Sequence, residues 1–179
     1  MKKILKKKYT KIGILGGTFD PPHKGHLHIS RIALKKFKLN RIIWVVTKKN
    51  PLKKKPYLSK RIRVKLSKKI TSKEKKIVVQ YLDDKTKSTN TFDLLNYVKE
   101  KNKKAKIYFL MGADNLVKFH KWNKWKLIPK LAKMIVFARS NYSFKTLSPT
   151  AFKNIDKSDW VYIKSKKVNI SSSLIKRFW

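Results

Sequence analysis

A chain of 179 residues, 41% of them hydrophobic and 12% aromatic, is long and apolar enough to build one core and needs no second domain. The absence of cysteine excludes disulfides, thiolate metal sites and a cysteine nucleophile together. A formal charge of +39, from 48 Lys and Arg against 9 Asp and Glu, taken alone points to a polyanion partner.

The stretch 1–15 is basic, and its apolar part is only a few residues long before it meets a glycine pair. That is neither a signal peptide nor a membrane span, so a cytoplasmic protein without membrane association is expected. Residues 11–16 read as a first strand ending in a glycine turn at Gly16-Gly17. A helix is expected over 24–37, where Leu27, Ile29, Ile32, Ala33 and Leu34 fall mostly on one face. A second, buried strand covers 41–47 (RIIWVVT), followed by a lysine-rich loop over 48–56. The next helix spans 59–70 and is expected to bury Ile62, Leu66 and Ile70. Then come a strand over 76–81, a helix over 91–101 carrying Phe92, Leu95 and Val98 inward, and a strand over 105–111. Residues 122–131 read as a helix broken near Pro129, 133–138 and 160–163 as two more strands, and 140–159 as an irregular loop with one short helix. Strands alternating with helices predict an α/β, Rossmann-like parallel sheet flanked by helices, which binds ligands beyond the carboxyl ends of its strands.

The chemistry concentrates at those ends. The run Gly16-Gly17-Thr18-Phe19-Asp20-Pro21-Pro22-His23-Lys24-Gly25-His26 couples a strand to a helix start, where backbone N–H groups, the helix dipole and imidazoles can surround a phosphate. His23 and His26 lie three apart and can share a face; His28 points elsewhere and is left out of the site. Gly112 and Asp114 follow the strand over 105–111, where a glycine admits a close nucleotide and a carboxylate can accept from ribose hydroxyls; capping of the next helix is the structural alternative for Asp114. No cluster of carboxylates reads as a metal cage, and His23 and His26 lack a third ligand for zinc, so no protein metal site is expected.

The eleven-residue run resembles the GGTFDPxHxGH element of bacterial nicotinate-nucleotide adenylyltransferases, in the nucleotidyltransferase superfamily that carries an HxGH motif. The resemblance continues downstream. Thr47-Lys48-Lys49-Asn50-Pro51-Leu52-Lys53 is similar to the family's loop after the second strand, with Lys48 where a proline is frequent. Thr89-Asn90-Thr91-Phe92-Asp93 is similar to its SYTxxT element, and Met111-Gly112-Ala113-Asp114-Asn115 to its GxD element. Asn169-Ile170-Ser171-Ser172-Ser173-Leu174-Ile175-Lys176 resembles its ISSTxIR motif, with Ser173 for the usual Thr and Lys176 for the usual Arg. Lys176 keeps the charge and loses the planar fork of donors, for which Arg177 could compensate.

The resemblance implies a single nucleotidyltransferase domain over 1–179 that transfers the adenylyl group of ATP to nicotinic acid mononucleotide, forming deamido-NAD and pyrophosphate. It implies His23 and His26 as catalytic residues, and Gly16, Gly17, Thr18, Phe19, Gly25, Gly112, Asp114, Ser171, Ser172 and Lys176 as the ATP site. Thr91, Trp122 and Arg139 would bind the nicotinate nucleotide, Trp122 by stacking, and Mg²⁺ would arrive with ATP. The same HxGH chemistry serves pantetheine-phosphate adenylyltransferases and cytidylyltransferases, but the Gly-Gly pair, Thr91, the GADN run and Trp122 favour the nicotinate branch. A basic nucleic-acid-binding protein would explain the charge and leave these motifs unexplained. Only Arg31, Arg41, Arg61, Arg63, Arg139 and Arg177 are arginine, and the lysines are spread through every segment, so the excess reads as compositional bias with no specific nucleic-acid partner.

Overall fold

The computed structural model describes residues 10–50, 55–138 and 155–164. In chain order these form β1 (Lys11–Gly17), α1 (Lys24–Lys36), β2 (Arg41–Val46), α2 (Lys60–Ile70), β3 (Ile77–Gln80), α3 (Asp83–Thr86) and α4 (Thr91–Lys101). They continue through β4 (Lys106–Gly112), α5 (Ala113–Leu116), α6 (Ile128–Leu131), β5 (Lys133–Phe137) and β6 (Trp160–Ile163). The described strands make one sheet of order β3-β2-β1-β4-β5-β6, and every neighbouring pair is parallel.

Alternation along the strands explains why both faces of this sheet are covered. Ile12, Ile14, Ile43, Val45 and Phe109 fall in one apolar cluster with Leu94, Leu95 and Val98 of α4. Leu15, Ile42, Trp44, Val46 and Leu110 fall in the other, with Leu27 and Ala33 of α1 and the partly buried Val64 and Ile70 of α2. Burying each large aliphatic chain of this kind contributes roughly 1.5–3 kcal/mol before entropy is counted. Strand order reverses beside β1, with β2 on one side and β4 on the other, so the crevice between their carboxyl ends lies at the topological switch point.

One glycine is required by packing. A Cβ at Gly13 would stand 2.9 Å from Ile42 Cγ1 and 2.9 Å from Leu39 Cδ1, so its absence lets β1 and β2 carry Leu39 against them.

The structure corrects several local expectations. Gly16 and Gly17 are the last residues of β1 rather than a turn, and no described glycine has a positive φ; the chain turns at Phe19, whose φ is 49°. Helix α2 turns Arg63 and Ser67 inward and leaves Ile62 exposed. Between β4 and β5 the expected helix is instead a 3₁₀ turn at Phe119–Lys121, another at Trp125–Leu127, and α6, with Pro129 in the first turn of α6 rather than at a break. The 140–159 segment lies largely outside the described residues; its end forms a 3₁₀ turn at Lys157–Asp159.

Candidate active site at the carboxyl end of β1

The switch point lies between the ends of two neighbouring strands. Leu15 of β1 pairs with Leu110 of β4, and two residues further along each strand Gly17 and Gly112 end them side by side. A Cβ on Gly16 would meet Leu94 of α4 at 3.8 Å and Phe109 at 4.0 Å, ordinary contact distances, so packing leaves this position open to a side chain.

From Gly17 the chain passes Thr18, the left-handed Phe19 and a cis Asp20-Pro21 bond to His23, the N-cap of α1. The two histidines close a reciprocal capping box there. Gly25 N–H donates to His23 Nδ1 at 3.1 Å, and His23 N–H donates to His26 Nδ1 at 3.2 Å. His26 N–H donates to the His23 carbonyl at 2.9 Å. Three backbone N–H groups of this helix start are thus engaged within the chain, which the sequence expectation of an amide-lined phosphate site did not anticipate. An imidazole whose Nδ1 accepts carries its proton on Nε2, so each ring keeps one further donor, that of His23 being buried. The ring centroids lie 3.8 Å apart, His23 is 5% exposed, and His26 is half-buried against Phe19 at 4.8 Å and Trp44 at 5.7 Å.

Behind the histidines, Phe19 stacks on Trp44 at 4.9 Å. The Trp44 indole N–H donates to Ser30 Oγ at 2.9 Å, and that hydroxyl donates to the His26 carbonyl at 2.8 Å, tying β2 to the first turns of α1. Asp20, 2% exposed, accepts from the Tyr57 and Leu58 N–H groups at 2.8 and 2.9 Å. Arg63 reaches the same loops from α2. Its guanidinium donates to the carbonyls of Thr18 (2.5 Å), Thr47 (2.7 Å), Leu58 (3.0 Å) and Lys48 (3.2 Å). Burial pulls Arg63 below its usual value, opposed by the carboxylates of Asp20 and Asp83. Burial raises the Asp83 carboxyl, against the Lys48 N–H it accepts at 2.6 Å.

The remaining expected residues lie at the end of β4, on α4 and α5, and in the segment after α5. Gly112 is the N-cap of α5, and Asp114, half-buried, sits in its first turn. Thr91 is the first residue of α4 and half-buried. The Asn90 side chain does not cap α4; Ser88 and Asp93 close that end instead, with Ser88 Oγ donating to Asp93 at 2.6 Å and accepting from the Asn90 N–H at 3.0 Å. Trp122 is extended and half-buried, 6.2 Å edge-on from Phe109 and 5.3 Å from Phe119, while Trp125 lies 5.9 Å from Phe119. The buried Phe109 thus lies near both the Gly16 position and Trp122. Arg139, Ser171, Ser172 and Lys176 lie outside the described residues. Among the described residues no three His, Cys, Asp or Glu side chains group as metal ligands, and no helix is long and apolar enough to cross a membrane.

Sequence reasoning missed Arg63, Asp20 and the Trp44–Ser30 tie. A signal for the first was present: an arginine four residues before a serine on α2, in a chain whose cations are mostly lysine, marks the inward face as polar.

The family model described as cytidylyltransferase-like matches residues 14–178, which span the doubly wound sheet and its imidazole-capped helix, and this match places the chain among the nucleotidyltransferases. A Pelagibacter ubique protein named probable nicotinate-nucleotide adenylyltransferase is 49% identical over 97% of this chain and 96% of its own length. One from a Bradyrhizobium species (strain BTAi1), named in the same way, is 31% identical over 91% and 93%. The chain belongs to the nicotinate-nucleotide adenylyltransferase family. The fold is similar to that of the Plasmodium falciparum nicotinic acid mononucleotide adenylyltransferase complexed with NaAD, with a TM-score of 0.77 at 22% identity, covering 95% of this chain and 84% of that one.

Proposed function

We propose that this chain transfers the adenylyl group of ATP to nicotinic acid mononucleotide, releasing pyrophosphate and forming deamido-NAD for NAD biosynthesis, as a single cytoplasmic domain. The observation that carries the reading is the pair of imidazoles closing the N-terminus of α1 beside Gly16 and Gly17, in a chain 49% identical to a relative of that name. The 5′-phosphate of the mononucleotide attacks the α-phosphorus of ATP in line, and the bond to the pyrophosphate oxygen breaks. The attacking oxygen is already anionic, so the protein needs no general base and works by positioning and by stabilising charge.

In this reading His23 and His26 donate from Nε2 to the oxygens around the transferring phosphorus, helped by the dipole of α1. Thr18, Phe19 and Gly25 shape that loop, and Gly16 and Gly17 let the nucleotide approach the end of β1. Ser171, Ser172 and Lys176 take the β- and γ-phosphates, and Gly112 with Asp114 receives the adenosine ribose. Thr91 and Arg139 hold the nicotinate carboxylate and its nucleotide, with Trp122 stacking on the pyridine ring. ATP enters as its complex with a divalent cation, for which we propose Mg²⁺; that cation neutralises phosphate charge.

Pyrophosphate release with ATP and each of nicotinic acid mononucleotide, nicotinamide mononucleotide and phosphopantetheine tests the assignment. Release with the nicotinate acceptor, and a preference for it over the amide, is expected, because a neutral amide leaves donors aimed at a carboxylate poorly paired. Equal efficiency with the two mononucleotides removes the carboxylate role of Thr91 and Arg139, and turnover with phosphopantetheine alone overturns the substrate assignment.

A further inference from the structure

Arg63 is 2% exposed, and among the described residues it alone of the lysines and arginines is buried. A buried guanidinium is retained at considerable desolvation cost, so what it holds is informative. It binds no side chain at hydrogen-bond distance among its described partners; four of its donors go to main-chain carbonyls from the β1–α1 loop (Thr18), the end of β2 (Thr47, Lys48) and the approach to α2 (Leu58). Asp20 completes the clasp in the opposite sense, accepting the Tyr57 and Leu58 N–H groups.

The Thr18 carbonyl is the important one. It precedes Phe19, which is held in the left-handed region at φ 49° without being glycine, a conformation that persists only where the surroundings fix it. The Phe19 ring in turn packs on both Trp44 and His26. A shift of the Thr18 carbonyl is therefore passed through Phe19 to the imidazole of His26.

We propose that Arg63 is a positioning residue for adenylyl transfer: by clasping the Thr18 carbonyl to the β2–α2 loop it sets the Thr18–Phe19 turn and the histidine pair against the ATP phosphates. This rests on the functional reading above and adds a residue that touches neither substrate. The requirement is geometric as well as electrostatic. A lysine keeps the charge but places its donors on one nitrogen, which cannot span carbonyls from three segments.

The test compares the wild-type chain with Arg63→Lys, Asp20→Asn and, as a control, Arg31→Gln, whose parent side chain is exposed and pairs only with Glu74 among its described contacts. For each, kcat and the KM values for ATP and nicotinic acid mononucleotide are measured, together with the Kd of a non-hydrolysable ATP analogue and the melting temperature. Arg63→Lys should weaken analogue binding and raise the ATP KM by about tenfold or more, with a fall in kcat, while the mononucleotide KM moves by less than about twofold. Arg31→Gln should leave all of these unchanged. If Arg63→Lys binds the analogue as the wild type does, or loses both substrates equally, the proposal is overturned. If that variant melts below the assay temperature, Asp20→Asn decides in its place, since the amide keeps one N–H bond and loosens the other; an ATP-selective loss supports the clasp and wild-type analogue binding refutes it. Wild-type chain that forms no deamido-NAD contradicts the functional reading, and the analogue-binding arm still tests Arg63.

Discussion

At the start of α1 the Nδ1 atoms of His23 and His26 cap backbone N–H groups, which separates what holds the helix from what meets a phosphate. Asparagine is a favoured N-cap and glutamine a favoured third residue of a capping box, so His23→Asn and His26→Gln keep an acceptor for the N–H that each Nδ1 now takes. Both variants should melt within a few degrees of the wild type, yet His26→Gln should lower turnover on the order of 10² or more, typical of losing one fixed donor to a transition state, because the glutamine NH2 sits on a side chain with one more rotatable bond and is not held where the ring holds Nε2. Near-normal turnover would show that the imidazole is a cap and nothing else. Two glycines of β1 give an opposite pair. Gly13→Ala forces a methyl to within 2.9 Å of Ile42 Cγ1 and should destabilise the fold, by about 1–3 kcal/mol in a urea titration. Gly16→Ala meets nothing closer than 3.8 Å and should leave the unfolding midpoint unchanged while raising the ATP KM; a wild-type KM would remove Gly16 from the nucleotide site.

Helix α1 depends on β2 through a bond no periodicity announces. Trp44 is fully buried, and its indole N–H has the Ser30 hydroxyl as partner. Ser30→Ala leaves that donor unsatisfied, for an expected loss of about 1–3 kcal/mol at constant m-value. A loss below a few tenths would mean the tie contributes nothing to the helix. The strands and the three long helices were legible in the sequence because each carries a long enough apolar period: α4 spans Thr91–Lys101 and β6 Trp160–Ile163 as expected, and the other long elements differ by a residue or so at their ends. What escaped has physical causes. The four-residue helices α3 and α5 are too short to show a period. The inward face of α2 is set by carbonyls of Thr18, Thr47 and Lys48, whose arrival beside Arg63 is a tertiary fact. The histidine pair was legible as a motif, whereas its capping geometry was not, since an imidazole at an N-cap is outside the usual set of capping residues.

Across the whole molecule, +39 charges are carried by a fold with few compensating contacts: among the described residues the ion pairs are Arg31–Glu74 and Lys60–Asp84. Several of the scarce acids serve the backbone, Asp20, Asp83 and Asp156 each accepting main-chain N–H groups. Such self-repulsion predicts a melting temperature that rises as salt shortens the Debye length from about 30 to about 8 Å; a fall would mean the charge is already balanced. The same lysines should give DNA binding without sequence preference that fades steeply with salt, while adenylyl transfer persists where DNA no longer binds, because directed contacts hold ATP. The most direct test is deamido-NAD formation from ATP and nicotinic acid mononucleotide, followed side by side for the purified chain and its His26→Gln variant. Product equimolar with pyrophosphate from the wild type, and turnover lower by about 10² from a variant that melts normally, is the predicted result; no deamido-NAD from the wild type, or equal turnover from the two, would contradict it.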